Sequence, residues 1–278
     1  INKNKLVKLN SNLDFQLGPS IGFSQAYPIL FMVGQPLGIY WGAQTDGIYA
    51  NWDEAISGGI AGAAPGEIKY VNNYVDLDAS GQPLAIQEIN FDDYVKIGDP
   101  NPDFTYSISN NFSYKNWDAS FLFTGQMGGD LFWVDSWQLS GLQKSTNVLT
   151  SSFQNSWIAP ITYENGNFLY DPSVGNLNNA SHPGAMIDPG KRAISSDRNI
   201  YDGSFLRLKN INIGYNFNFS QNRNMRLYIS GQNLIVWTDY PGYDPEVRTY
   251  TKNPQKRGVD FGTYPGTKSL LLGLKFNY

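Results

Sequence analysis

The chain is dominated by runs in which apolar and small polar residues alternate with a period of two, the signature of half-buried β-strands. From Phe104 to Tyr114 the even positions are Phe104, Tyr106, Ile108, Asn110, Phe112 and Tyr114, and the odd ones Thr105, Ser107, Ser109, Asn111 and Ser113. Lys115-Asn116 then predicts a tight turn into a run with Trp117, Ala119, Phe121, Phe123 and Met127 on one face and Asp118, Ser120, Thr124 and Gln126 on the other. A second pair follows: Ile211, Ile213, Tyr215, Phe217 and Phe219, a turn around Gln221 to Asn224, then Met225, Leu227 and Ile229. The last run places Leu270, Leu272, Leu274, Phe276 and Tyr278 opposite Ser269, Gly273, Lys275 and Asn277. A weaker run over Val7 to Leu17 and a Gly-rich one over Pro36 to Tyr49 add two expected strands, for about seven in all and no helix.

The connections are lopsided. Two turns (115–116 and 221–224) are short, while 51–102, 128–203 and 239–267 are long and irregular and fall on one side by up-and-down counting. Transmembrane β-barrels have this asymmetry, and a strand of about ten residues tilted by about 45° spans about 24 Å, the height of their outward apolar band. A soluble β-sandwich alternates too. Its solvated face usually recruits Lys and Glu, whereas here the polar face is Ser, Asn, Thr, Gln and Gly, and the apolar face begins and ends in aromatics (Phe104 and Tyr114; Phe276 and Tyr278). The barrel predicts Phe104, Tyr106, Ile108, Phe112, Leu270, Leu272, Leu274 and Phe276 toward lipid, and Ser107, Ser109, Asn216, Ser269 and Lys275 toward a lumen.

Composition agrees. Charged residues are 16% of the 278, well below the usual quarter, and aromatics are 15%. The net charge of −4 leaves no cationic surplus for phosphates, so no nucleic-acid partner is expected. With no Cys and one His, thiol nucleophiles, disulfides and zinc–thiolate sites are excluded. No apolar stretch approaches the length of a membrane helix, and Ile1-Asn2-Lys3-Asn4-Lys5 lacks the features of a signal peptide, which suggests a chain that starts in mid-fold. No P-loop, dinucleotide fingerprint or nucleophile elbow occurs, and the chain is expected not to be an enzyme.

Several strings carry a resemblance. Asp202-Gly203-Ser204-Phe205-Leu206-Arg207-Leu208-Lys209-Asn210-Ile211 and Ile97-Gly98-Asp99-Pro100-Asn101-Pro102-Asp103-Phe104 stand beside Gly34-Gln35-Pro36-Leu37-Gly38 with Thr45-Asp46-Gly47-Ile48-Tyr49. Ser230-Gly231-Gln232-Asn233-Leu234 with Tyr240-Pro241-Gly242-Tyr243-Asp244-Pro245-Glu246 completes the set. In this order they resemble segments of the SusC/RagA family, the TonB-dependent outer-membrane transporters of Bacteroidetes. The resemblance implies that residues 1–278 are the C-terminal part of a receptor β-barrel in a Gram-negative outer membrane. It also implies a larger, 22-stranded barrel, a plug and a TonB-contacting segment outside these residues, a SusD-like surface lipoprotein as lid, and an oligosaccharide or peptide ligand. About seven strands cannot close such a barrel, so the final strand is expected to pair with a strand outside 1–278. The alternative function is a SusC-like barrel used as a structural scaffold in a larger outer-membrane complex, without active transport.

Candidate contacts for ligand or lid are the loop aromatics Trp133, Trp137, Trp157, Tyr163, Phe168 and Tyr170, which can stack on sugars, anchor a protein, or pack the loop onto itself. Trp237, Tyr240 and Tyr243 are read as interfacial girdle residues. The loop Asp76-Leu77-Asp78-Ala79-Ser80-Gly81 resembles the family's D-x-N-x-D-G segment and a degenerate calcium loop, with Asp76, Asp78 and Ser80 as ligands; Gln87 stands where Glu is expected, so a solvated turn is the competing reading. No other cofactor is expected. Asp244 and Glu246 lack the cleft that paired glycosidase carboxylates need and read as part of a turn on Pro241-Gly242 and Pro245. His182, in a turn-like string, lacks the neighbours of a triad.

Overall fold

The computed structural model describes residues 3–10, 13–21, 27–140, 147–176, 180–184, 194–220, 223–247, 249–250 and 253–277. Two layers of different character make up these residues. The first contains β1 (Phe15–Leu17), β2 (Ile29–Met32), β3 (Ile39–Gly42), β4 (Thr45–Ile48), β5 (Ile68–Tyr70) and β6 (Val95–Gly98). The second is reached with β7 (Phe104–Tyr114) and β8 (Trp117–Met127). After β9 (Asp130–Trp133), β10 (Ile161–Glu164), β11 (Asn167–Tyr170) and β12 (Ile200–Asp202), the chain returns to it through β13 (Phe205–Ser220) and β14 (Arg223–Trp237), then β15 (Val259–Asp260) intervenes before β16 (Ser269–Asn277).

The long strands form one antiparallel five-stranded sheet, the wall, in the order β16-β14-β13-β8-β7. Its register sorts the side chains. Leu272 pairs with Ile229, Ile229 with Ile213, Ile213 with Ala119, and Ala119 with Phe112, a continuous row across all five strands. All eight positions expected toward lipid share this apolar face, and the five expected toward a lumen share the other. The apolar face has no covering layer among the described residues, so Leu272 is 73% exposed and Ile108 52%. In water such a face would be a large exposed patch; against hydrocarbon it is the favourable side. The hairpin from Tyr114 to Trp117 turns on Lys115, whose φ is 53°. Residues 221–222 of the second hairpin turn, and the terminal Tyr278, lie outside the described residues.

Strand β13 is not regular throughout. Opposite β8 it carries an extra residue at Lys209, between the pairs Leu208–Phe123 and Asn210–Leu122. This bulge changes the parity of the strand: Leu206 and Leu208 lie on the apolar face before it, Ile211 and Ile213 after it. On β14 the matching irregularity falls around Asn233, a non-glycine residue with φ of 51°.

The other strands are short and belong to a loop layer. It contains a four-stranded sheet, β1-β2-β3-β6, and a three-stranded one, β12-β9-β15, in which β15 runs parallel to β9. Ile21, Ile29, Phe31, Tyr40, Phe132, Val134 and Val259 pack there as a buried core, with the Tyr40 and Phe132 rings edge to face at 5.6 Å. The runs over Val7 to Leu17 and Pro36 to Tyr49, expected as wall strands, supply β1, β3 and β4 of this layer. Their strands are only three or four residues long, and Ile29 and Leu30 of the neighbouring β2 are buried on successive positions, so no single apolar face develops. Among the described residues three short helices also occur: α1 (Trp52–Ser57), α2 (Ser136–Leu139) and α3 (Thr150–Gln154). The first is set by Asn51, whose side chain caps the Glu54 amide, with Asp53 and Glu54 in the first turn. No helix among the described residues is long and apolar enough to cross a membrane.

Candidate functional site at the junction of wall and loops

Two polar features stand out on the wall. Toward the hairpin-turn end of the polar face, Arg226 donates from Nε to Asp118 Oδ1 at 3.1 Å, and through Nη2 to Asp118 Oδ2 and to Asn212 Oδ1, the latter at 3.0 Å. Asn216 also donates to Asp118, at 3.1 Å. The guanidinium lies flat on the sheet because residue 214 is Gly, where a Cβ would stand 2.6 Å from Nε, and it stacks on Tyr228 at 4.9 Å.

At the other end, the wall meets the loop layer. Arg207 projects from β13 and is nearly fully buried with Asp244, to which it donates from Nη2. Asp244 further accepts from the Glu246 amide at 2.9 Å and the Gly266 amide at 3.0 Å. A charge pair this buried persists only when its carboxylate finds further hydrogen bonds, as it does here. Asp244, expected in a turn on Pro241-Gly242 and Pro245, ties the 241–247 loop to the wall. Lys209, re-aimed by the bulge, reaches Glu246 at 3.4 Å. A cavity of about 420 Å³ opens beside them, lined by Thr105, Thr124 and Gln126 of the wall and by Lys209, Glu246 and Arg257.

The loop layer behind this mouth is held by buried acids. Asp260 accepts from the Tyr240 hydroxyl at 2.6 Å and from the Thr263 amide at 2.9 Å. Burial first, then this hydrogen bond to an acid, raise the Tyr240 phenol above its ordinary range. Tyr240 is therefore a core residue, not part of an aromatic girdle; it packs with Trp133 and Tyr201, each ring pair at 6.1 Å. Trp237 and Tyr243 remain exposed. Asp130 accepts from the Asp99 amide at 2.7 Å, and burial, with a smaller push from the charge of Asp99, holds its carboxyl above the usual range.

The six aromatics expected as ligand or lid contacts fall into two groups. Trp133 is 5% exposed, in the core cluster with Leu131 and Tyr240. Trp137 packs edge to face on Phe132 at 5.5 Å. Trp157 donates from Nε1 to the Ala50 carbonyl at 3.2 Å and lies against Gly66 and Gly184. These three pack the loops onto themselves. Tyr163, Phe168 and Tyr170 instead project from the β10–β11 hairpin, with Tyr163 and Phe168 cross-strand partners at 4.9 Å, 65% and 74% exposed. The hairpin turns on Asn165-Gly166, both with positive φ (51° and 85°), the Asn-Gly chemistry that two-residue hairpins favour.

At the acidic loop, the carboxylates are engaged by their own backbone. Asp78 Oδ1 accepts from the Ser80 and Gln82 amides at 2.8 and 2.9 Å, and Asp76 Oδ2 from the Glu88 amide at 2.8 Å. Gln87, in the position of the expected Glu, accepts from the Asp76 amide at 2.6 Å. Among the described residues no group of three or more His, Cys, Asp or Glu gathers as a metal site. His182 pairs by its backbone with the 155–157 segment, and its ring nitrogen Nδ1 lies 3.0 Å from Ser181 Oγ. Sequence reasoning missed the Arg207–Asp244 anchor and the Lys209–Glu246 mouth, whose one legible sign is the break in alternation at Lys209.

No protein-family model matches the chain. Over 289 aligned residues, taking in the whole chain, it is 32% identical to TonB-dependent receptor P3 of Formosa agariphila. It is 26% identical over 214 residues to TonB-dependent receptor SusC of Bacteroides thetaiotaomicron. The chain is thus similar to part of the TonB-dependent receptors over its whole length, and to part of SusC over about three quarters of it. These are outer-membrane proteins, which accounts for a sheet with one face fit for lipid. The chain spans about a quarter of its curated relatives' length, 26% of receptor P3 and 18% of SusC. The RagAB peptide transporter shares its fold, with a TM-score of 0.67 over 99% of this chain and 26% of that one, at 19% identity. The RagAB importer in its closed-closed state gives 0.65. The SusC-like chain is thus a portion of a barrel wall with its loop layer, and its named relatives are receptors and transporters, not enzymes.

Proposed function

We propose that this chain is the C-terminal wall and mouth of an outer-membrane importer that takes up oligosaccharides or peptides, energised through TonB by a segment outside residues 1–278. The observation that carries the reading is the two-faced wall: an apolar face running across five strands, backed by a polar face that leads to a cavity under the loops. A polar lumen within an apolar exterior is the arrangement of a solute path through a membrane. The chain's likeness to TonB-dependent receptors and to a peptide transporter supports it. The exposed β10–β11 hairpin serves as the contact for a SusD-like surface lipoprotein, with Tyr163, Phe168 and Tyr170 as anchors. Aromatic side chains are enriched among the residues that dominate protein–protein contacts.

The test is uptake by cells expressing the full-length receptor, with and without TonB. Accumulation of a labelled peptide or oligosaccharide only when TonB is present supports import. A full-length gene product without plug or TonB-contacting segment, and with no TonB-dependent uptake, would establish the scaffold reading instead.

A further inference from the structure

The cavity at the junction of wall and loops has a charge pattern that the import reading does not by itself require. Its lining carries two cations, Lys209 and Arg257, and one anion, Glu246, in a chain whose overall charge is −4. Arg207 stands behind Glu246, but its charge is balanced by the buried Asp244. Each charged group is mounted on fixed backbone. The Glu246 amide is held by Asp244, and the Arg257 carbonyl accepts from the buried Tyr40 hydroxyl at 2.9 Å. Next to it the Gly258 carbonyl accepts from the Phe132 amide at 2.9 Å, and Gly258 itself has φ of 71°. A Cβ there would stand 2.5 Å from the Tyr40 hydroxyl, so this backbone is pressed against the core. Lys209 sits on the bulge that turns it to the cavity.

The Lys209–Glu246 contact is long, at 3.4 Å, and both side chains are about one-third exposed. A contact of this kind is weak and screened by solvent. It is therefore readily exchanged for an incoming carboxylate, which Lys209 and the exposed Arg257 meet from the cavity lining while Thr105 and Thr124 offer hydroxyls.

We propose that this cavity binds a carboxylate group of the transported solute, with Lys209 and Arg257 as its cationic contacts and Glu246 as an internal carboxylate that the solute displaces. The proposal rests on the import reading and narrows its substrate class to acidic solutes. The carboxylate can come from a peptide C-terminus or from a uronic acid, and the probes separate the two.

The experiment measures binding to the purified full-length receptor by calorimetry, using N-acetyltrialanine against N-acetyltrialanine amide, and trigalacturonate against maltotriose. The acidic member of at least one pair is expected to bind about tenfold or more tighter than its neutral partner, the scale of one charge-assisted hydrogen bond. Lys209→Gln and Arg257→Gln should each erase most of that preference. Glu246→Gln should strengthen binding of the same acid severalfold, a gain that loss of folding cannot imitate. Equal affinity within both pairs, or a preference unchanged in all three variants, overturns the proposal. TonB-dependent uptake of a neutral probe with no dependence on Lys209 or Arg257 would overturn it while leaving the import reading standing; absence of TonB-dependent uptake alongside an intact acid preference would do the reverse.

Discussion

The wall and the loop layer use the same apolar residue types and bury them in opposite senses. In β2 of the loop layer, Ile29 and Leu30 are almost wholly inaccessible, whereas in β16 of the wall Leu270, Leu272 and Leu274 are more than half exposed. The loop layer solves the problem of a water-soluble protein with an apolar core, and the buried Arg207–Asp244 pair and the Tyr240–Asp260 hydrogen bond satisfy what is trapped. The wall is inverted, and its internal surface carries the polar network of Arg226, Asp118, Asn212 and Asn216. Exposure of a leucine therefore has no fixed sign in this molecule; the solvent on each side decides whether it stabilises.

The largest expected effect separates the layers at their joint. Replacing Asp244 with Ala leaves Arg207 buried without its partner, at a cost of about 3–5 kcal/mol. Limited proteolysis of the full-length receptor should show rapid cleavage within 239–267, while the wall keeps its heat-resistant migration on gels. Simultaneous loss of both would mean that wall and loops are one cooperative unit. Next, Ile229→Arg near the middle of β14 should cost about 2–4 kcal/mol against lipid, and Ser230→Arg on the opposite face far less. Equal costs at these adjacent positions would remove the lipid assignment. A smaller effect is expected from Arg226→Gln. The Asp118 pair is partly exposed, so its loss should cost about 1 kcal/mol or less in unfolding by denaturant. The smallest concerns pH. The Asp130 carboxyl is raised by burial and by Asp99, so its ionised form disfavours the folded loop layer above the ordinary carboxylate range, and the penalty fades as pH falls through the raised value. Asp130→Asn keeps an acceptor for the Asp99 amide and should flatten that dependence. A loop layer whose hydrogen-exchange protection follows pH identically in both proteins would contradict it.

Much of the wall was legible because alternation is a local signal: Phe104–Tyr114 and Trp117–Met127 are β7 and β8 at the expected residues. The first part of β13 was not, because Phe205 to Leu208 and Ile211 to Ser220 alternate in opposite phase and only the later run declares itself. The early segments misled for another reason. Ile39 and Tyr40 are buried from both sides, and a strand covered on both faces has no period to read. At the mouth, Arg207 and Asp244 are 37 positions apart and nothing local marks them as partners. Among the aromatics, composition alone could not tell Trp133, enclosed by Tyr201 and Tyr240, from Phe168 on an open hairpin.

The bulge at Lys209 also has a consequence for how this strand tolerates length changes. It works as a frame marker. Deleting Lys209 itself would close the bulge and leave Leu208 opposite Phe123 and Asn210 opposite Leu122, so Leu206, Arg207 and Leu208 would keep their faces; deleting Arg207 with the bulge retained would instead turn Leu206 inward. At the bulge, therefore, one residue can be lost without exchanging faces. Related sequences should therefore accept a one-residue change in length at the bulge and only even changes elsewhere between Gly203 and Ile211, a rule that no single substitution would reveal.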